Sequence, residues 1–343
     1  MRNTSKLLTY IFLTGSLFLG GCGGSDTQIG DWVKRADFDG VSRSDATSFT
    51  IGSNGYLYGG FDGKNRLSDL WEYNTTGNYW TQKASCPGPA RSSATSFALD
   101  NMGYIGTGFD GENYMKDFWQ YNPSNNSWTQ KADFAGSARY GAISFGVSGK
   151  GYMGTGFDDN YLKDIYTYDP ASDTWTLLVG FSGSKRKGAT TFVIGTKAYI
   201  VCGENNGSYV SDCWYYDAAA GVWSASDEDG TRKTNVVRRI SNTSSQSFDD
   251  AYNIARANGL AMVIDGKVYL ACGESGTLRS DVWIYDPATD LWESTTDFEG
   301  TTRTGAVVFS TGTHGFIATG RSSTYRFDDT WEFLPDQEYN ESL

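Results

Sequence analysis

The chain has 343 residues with 40 Asp and Glu against 28 Lys and Arg, a formal charge of -12, and it carries 42 Gly, 22 Tyr, 19 Phe and 11 Trp with only 6 Pro. That composition is neither disordered nor collagenous, and an excess of acid repels a phosphate backbone, which argues against nucleic acid as a partner. A single histidine, His314, removes the commonest metal ligand and general base, so zinc hydrolases, copper oxidases and Ser-His-Asp enzymes are set aside; no cofactor or metal is expected.

Arg2 and Lys6 precede an apolar run from Leu7 to Gly20. It has the form of an export signal and is too short to span a bilayer as a helix. The following Leu19-Gly20-Gly21-Cys22 resembles the lipobox of bacterial lipoproteins. The resemblance implies that residues 1–21 are a signal peptide, that Cys22 is lipidated, and that residues 22–27 form a flexible tether. The alternative is an ordinary secretory signal that contains a cysteine. Loss of residues 1–21 takes two positive charges from -12 and leaves -14. Anionic lipid repels such a surface, so acyl chains at Cys22 would hold it to the membrane. The expected location is the bacterial cell envelope, on the outer-membrane or periplasmic side.

Every tryptophan belongs to one of two periodic series. Trp32, Trp80, Trp128, Trp175, Trp223 and Trp292 are spaced by 48, 48, 47, 48 and 69 residues, and Trp71, Trp119, Trp214, Trp283 and Trp331 form the second, with Tyr166 in the vacant place. Three further columns keep the step: Arg43 to Arg303, Gly60 to Gly320 and Asp69 to Asp329, each with six members. An aromatic column runs from Tyr73 to Phe333. Within the second copy, Ala94 to Leu99, Gly103 to Thr107, Asp117 to Tyr121 and Ser127 to Gln130 have strand character, bounded by Gly, Asn, Asp or Ser.

Four antiparallel strands per unit, six times over, predict an all-β, six-bladed β-propeller. The order Arg, apolar strand, strand ending in Gly, then Asp-x-Trp-x-Tyr and a final Trp resembles the kelch repeat across roughly residues 28–334, although its glycine doublet is intact only at Gly59-Gly60. The last copy lacks its terminal Trp, and Asp31 to Phe38 stands alone at the start, so the N-terminal strand is expected to close the last blade. Residues 335–343 are expected to be a tail.

The loops joining strands b and c, with the connections from d to the next a, define one face. It receives an insertion at about 227–253, whose Arg232, Lys233, Arg238 and Arg239 are basic. The residue after each repeat glycine reads Phe61, Phe109, Phe157, Glu204, Glu274 and Arg321 around the ring. Aromatic faces beside carboxylates and a guanidinium suit a sugar or another polar ligand. The competing reading packs the phenylalanines between blades and pairs the glutamates with arginines. Asp62, Asp110 and Asp158 supply turns rather than calcium ligands. The Arg and Asp columns are expected to pair structurally, with a ligand carboxylate the lesser reading for Arg256 and its equivalents. Cys202 and Cys213 are the most plausible disulfide pair among Cys86, Cys202, Cys213 and Cys272.

Kelch resemblance implies architecture more than activity. The leading expectation is a lipid-anchored binding module that presents the bc/da face to a protein or glycan. A second is a carbohydrate-active enzyme resembling N-acetylneuraminate epimerase (mutarotase), with Glu204 or Glu274 as acid/base and Arg186, Arg256 or Arg321 on a sugar carboxylate. A structural surface protein without a ligand pocket is the third.

Overall fold

The computed structural model describes residues 29–224 and 253–340. The export signal, Cys22, the tether and the basic segment Arg232 to Arg239 lie outside the described residues. The second copy folds into Thr95–Leu99, Met102–Gly106, Phe118–Asn122 and Ser127–Lys131, paired antiparallel in chain order. Its a strand alternates, with Thr95, Phe97 and Leu99 buried. Asp100 and Asn101, both at positive φ, make the tight turn into strand b. Five such sheets follow one another, and the inner strands touch around a complete ring, Thr47–Ile51 meeting both Thr95–Leu99 and Val307–Ser310.

The sixth sheet closes the ring. Ile29–Lys34 pairs antiparallel with Thr330–Glu338, outside Gly315–Ala318 and Val307–Ser310. This C-terminal strand runs on to Glu338, opposite Ile29, so residues 335–338 belong to blade six rather than to a tail. In each of blades one to five an aromatic of strand c faces the tryptophan of strand d, as in Tyr73–Trp80 and Tyr121–Trp128, with ring centroids 4.9–5.1 Å apart. Phe333 and Trp32 make the same pair at 4.8 Å with Trp32 supplied from the other end of the chain.

Apolar side chains that alternate along the strands pack between sheets, one cluster per blade boundary. The Arg column lies at the heart of the polar network. Arg43, Arg91, Arg139, Arg186, Arg256 and Arg303 are fully buried. Arg91 holds Asp117 bidentately at 2.6 and 2.5 Å, donates to Thr107 O at 3.0 Å and to Pro89 O at 3.0 Å, and Trp119 Nε1 donates to the same Asp117 at 2.7 Å. Arg43, Arg139, Arg186 and Arg303 grip Asp69, Asp164, Asp212 and Asp329 in the same way, and Arg256 reaches Asp281 at 2.9 Å.

The repeat glycine joins this network from the neighbouring blade. Gly60 N donates to Arg91 O at 2.9 Å, and the pattern repeats at every boundary, ending with Gly320 N to Arg43 O at 2.8 Å. All six glycines sit at φ between 82° and 105°, and a Cβ on Gly108 would stand 3.0 Å from Ser92 O. The residue before them, at φ 55° to 65°, is left-handed but tolerates a side chain, which is why Thr107, Thr155, Cys202, Cys272 and Thr319 stand where the first copy has Gly59.

Two measurements check this account. Trp32→Ala is expected to lower the unfolding free energy by about 3–5 kcal/mol in urea denaturation, and removal of residues 28 to 38 by more, because it opens the ring; unchanged stability would detach that strand from blade six. Gly108→Ala is expected to cost about 1–3 kcal/mol through backbone strain, whereas Thr107→Gly, which relieves a left-handed residue while adding chain entropy, should change stability by less than about 1 kcal/mol.

Candidate functional site

The inner strands surround an axial cavity of about 520 Å³. Hydroxyls satisfy much of its wall: Ser96 Oγ donates to Ser48 O at 2.8 Å, Ser144 Oγ to Ser96 O at 2.8 Å, Thr191 Oγ1 to Ser144 O at 2.9 Å, and Ser48 Oγ to Val308 O at 2.6 Å. Each side chain thus reaches back to the equivalent residue of the preceding blade. Ala261 and Val308 interrupt the series in blades five and six.

At the bc/da end the backbone is locked before any side chain is considered. Each residue after a repeat glycine exchanges two hydrogen bonds with the residue after a column arginine: Phe61 with Ser44, Phe109 with Ser92, Phe157 with Tyr140, Glu204 with Lys187, Glu274 with Ala257 and Arg321 with Thr304, at 2.8–3.1 Å. The next residues, Asp45, Ser93, Gly141, Gly188, Asn258 and Gly305, all adopt left-handed φ of 52° to 62°. They are joined around the mouth by backbone bonds from Asp45 N to Gly305 O, Ser93 N to Asp45 O, Gly141 N to Ser93 O, Gly188 N to Gly141 O and Asn258 N to Gly188 O, at 2.7–3.0 Å.

Inside this hoop lies a second cavity of about 320 Å³, whose lining includes Asp45, Tyr140, Lys187, Glu204, Asn258, Glu274 and Arg321. Glu204, Glu274 and Arg321 therefore line one cavity. Tyr140, Lys187, Asp45 and Asn258 were missed; the signal that could have found them is the residue one or two places after the column arginine, which varies from blade to blade while the arginine does not. The ion pairs here are long, Lys187 Nζ to Glu204 Oε2 at 3.9 Å and Arg321 Nε to Asp45 Oδ2 at 3.8 Å. Glu274 accepts from the Asn258 amide at 3.3 Å.

Phe61, Phe109 and Phe157 lie outside the lining of that cavity, half-buried in an arc of aromatic and cationic side chains. Arg66 and Arg326 lie over Phe61 at 4.6 and 4.8 Å, and Arg66 also over Phe109 at 5.0 Å. Phe109, Tyr114, Tyr140, Phe157 and Tyr161 continue it in ring-to-ring contact. The arc ends where Lys187 Nζ stands 5.3–5.5 Å from the centres of Tyr140, Phe157 and Tyr161, with Tyr161 donating to Glu204 at 2.6 Å. Burial opposes the charge on Lys187, but Tyr140 and Glu204 outweigh it and raise its pKa. Burial and the Glu204 hydrogen bond raise that of Tyr161. The protein's own cations thus occupy ring positions that the sequence reading offered to a sugar.

Arg256, also considered as a ligand contact, is buried and spent on Asp281, Ile254 O and Cys272 O. Asp62 and Asp110 accept backbone N–H groups two and three residues on, and Asp158 one two residues on, which is turn chemistry. Cys202 and Cys213 are free thiols. In the ladder Cys213 stands opposite Val201, not Cys202, and Cys202 turns out of the strand at φ 60°.

Two family models match the sequence, one described as the KLHDC2/KLHL20/DRC7 Kelch-repeats domain over residues 32–137 and one as the Kelch motif over residues 255–298. Together with the six-bladed ring, these matches decide the family. The chain is a kelch-repeat propeller. The solved structure of YjhT shares its fold with a TM-score of 0.68 and 17% identity, over 86% of this chain and 95% of that one. No curated protein matches the sequence. Kelch propellers generally mediate protein interactions, and this one carries, among its described residues, no group of three or more His, Cys, Asp or Glu placed to hold a metal ion.

Burial pushes the thiols of Cys86 and Cys202 up to about 11 and that of Cys272 up to about 12, and raises Cys213 as well. A propeller beginning at Ser25 is therefore expected to resist iodoacetamide at pH 8 while folded and to react at all four sites in denaturant. Because the unfolded chain releases these protons from about pH 8.5 and the folded one does not, stability should fall as pH rises beyond that value. Rapid native labelling at any of the four would contradict their enclosure.

Proposed function

We propose that the protein is a lipid-anchored binding module of a bacterial envelope, held at Cys22 and presenting the bc/da face to a protein or glycan partner. The observation that carries this reading is the contrast between columns. Arg, Gly and Asp repeat six times where they hold the ring together, whereas the mouth residues change blade by blade and leave a polar cavity of about 320 Å³. A uniform structural plug would not need that variation, and the cavity counts against a surface protein without a pocket.

The carbohydrate-enzyme reading draws support from Glu204, Glu274 and Arg321 on one cavity. It loses two of its three carboxylate-binding candidates, since Arg186 and Arg256 are fully buried in their aspartate pairs. Binding without turnover is therefore the preferred role.

A glycan array and a pull-down with the protein from Ser25 onward test the face. Against whichever partner is captured, Glu274→Gln and Arg321→Met are each expected to weaken binding by about 1–3 kcal/mol, whereas Phe109→Ala and Phe157→Ala, outside the cavity and covered by Arg66 and Lys187, should change it by less. Unfolding without selective loss would assign these residues to the scaffold instead. For the anchor, metabolic labelling with a palmitate analogue should mark the wild type and spare Cys22→Ser; equal labelling of both leaves plain secretion.

A further inference from the structure

The charges at the mouth are not those of a site for a simple anion or a simple cation. Around the rim, blade four contributes Glu204 with Lys187, blade five Glu274, blade six Arg321 and blade one Asp45, so the signs alternate. A plain anion entering the cavity meets three carboxylates, and a plain cation meets an ammonium and a guanidinium. Each is attracted by part of the wall and repelled by the rest.

The pairing distances separate these groups from the structural ones. The buried Arg–Asp pairs close to hydrogen-bond distance, 2.5 Å for Arg91 with Asp117 and 2.6 Å for Arg139 with Asp164. The mouth pairs stop at 3.8 and 3.9 Å, beyond hydrogen-bond distance; Lys187 donates to Tyr140 at 3.4 Å, Glu204 accepts from Tyr161 and Asp45 from Ser44 at 2.8 Å, which still leaves donor and acceptor positions unused on these cavity-lining groups. Glu274 goes further: its partner is the neutral amide of Asn258, and it has no ion-pair partner among the described residues. A half-enclosed carboxylate with no counter-charge among the described residues attracts a cationic group, while Arg321 and Lys187, on either side of it in blade order, attract an anionic one.

We propose that the mouth binds a small zwitterion, with a ligand ammonium on Glu274 and a ligand carboxylate on Arg321 or Lys187, of the class of amino acids and short peptides with free termini. The proposal rests on the binding role of this face and specifies its ligand chemistry. The volume of about 320 Å³ suits a ligand of that size rather than a polymer segment. The backbone hoop fixes the main chain beside the residues that carry the opposed charges, so binding orders side chains rather than backbone.

Four glycine peptides test it, titrated calorimetrically into the protein from Ser25 onward: diglycine and triglycine as zwitterions, N-acetyldiglycine as the anion alone, and diglycinamide as the cation alone. The zwitterions are expected to bind at least about tenfold more tightly than either blocked form. Glu274→Gln should erase the preference for a free amine, and Arg321→Met, alone or combined with Lys187→Met, the preference for a free carboxylate, with unfolding temperatures of the Glu274 and Arg321 variants unchanged because both side chains are half-exposed at the rim. N-acetyldiglycine binding as tightly as diglycine would overturn the proposal, as would the absence of binding by every form at millimolar concentration. If either result came with selective capture of a protein or glycan on the same face, the binding role would stand and only its zwitterionic chemistry would fall.

Discussion

Everything in this ring hangs on a buried guanidinium. An arginine without water is costly, and only a full set of hydrogen bonds offsets the loss of hydration. Each blade supplies that set from three of its own segments: the loop before strand a, the carbonyl of the residue just past strand b, and the aspartate just before strand c. The aspartate is held in turn by an indole in blades one, two, four, five and six. The arginine's backbone carbonyl then accepts from the repeat glycine of the preceding blade. One residue thereby fixes the geometry within a blade through its side chain and between blades through its main chain, and the propeller follows from repeating it.

Such a residue is easy to find in a sequence, because its environment tolerates no substitute and so recurs unchanged. The same holds for Trp32, whose equivalents keep a step of 47 or 48 residues up to the insertion and 69 across it, and whose isolation at the N-terminus announces the closure. The rim obeys the opposite rule. Lys187 follows a column arginine directly, yet its equivalents are Ser44, Ser92, Tyr140, Ala257 and Thr304, and no periodicity marks it. Arg66 and Tyr161 act across blade boundaries on Phe109 and Glu204, contacts that strand alternation within one copy cannot express. The phenylalanines were visible as a broken column, but their cover of cations was not.

The glycine doublet is instructive in the same way. At its second position the backbone angle and the neighbouring carbonyl exclude any Cβ, and glycine is present six times. At its first position the left-handed angle is strained yet accessible, and threonine or cysteine replaces glycine in five copies. Two adjacent residues of one motif therefore differ in how strictly they are held, and the departure from the kelch pattern falls on the permissive one. The free thiols of Cys202 and Cys272 stand at that permissive position.

The hoop of left-handed residues at the mouth separates architecture from chemistry. Its five bonds run through main-chain groups alone, so the identity of the side chains carried at those six places, Asp45, Ser93, Gly141, Gly188, Asn258 and Gly305, leaves the chain of bonds intact as long as each residue accepts the angle. Glycine, asparagine and aspartate accept it most readily, and these are five of the six residues found. The rim is in effect a chassis with interchangeable fittings: a lineage could exchange a bare glycine for an amide or a carboxylate, one blade at a time, and retune what the protein recognises without refolding it.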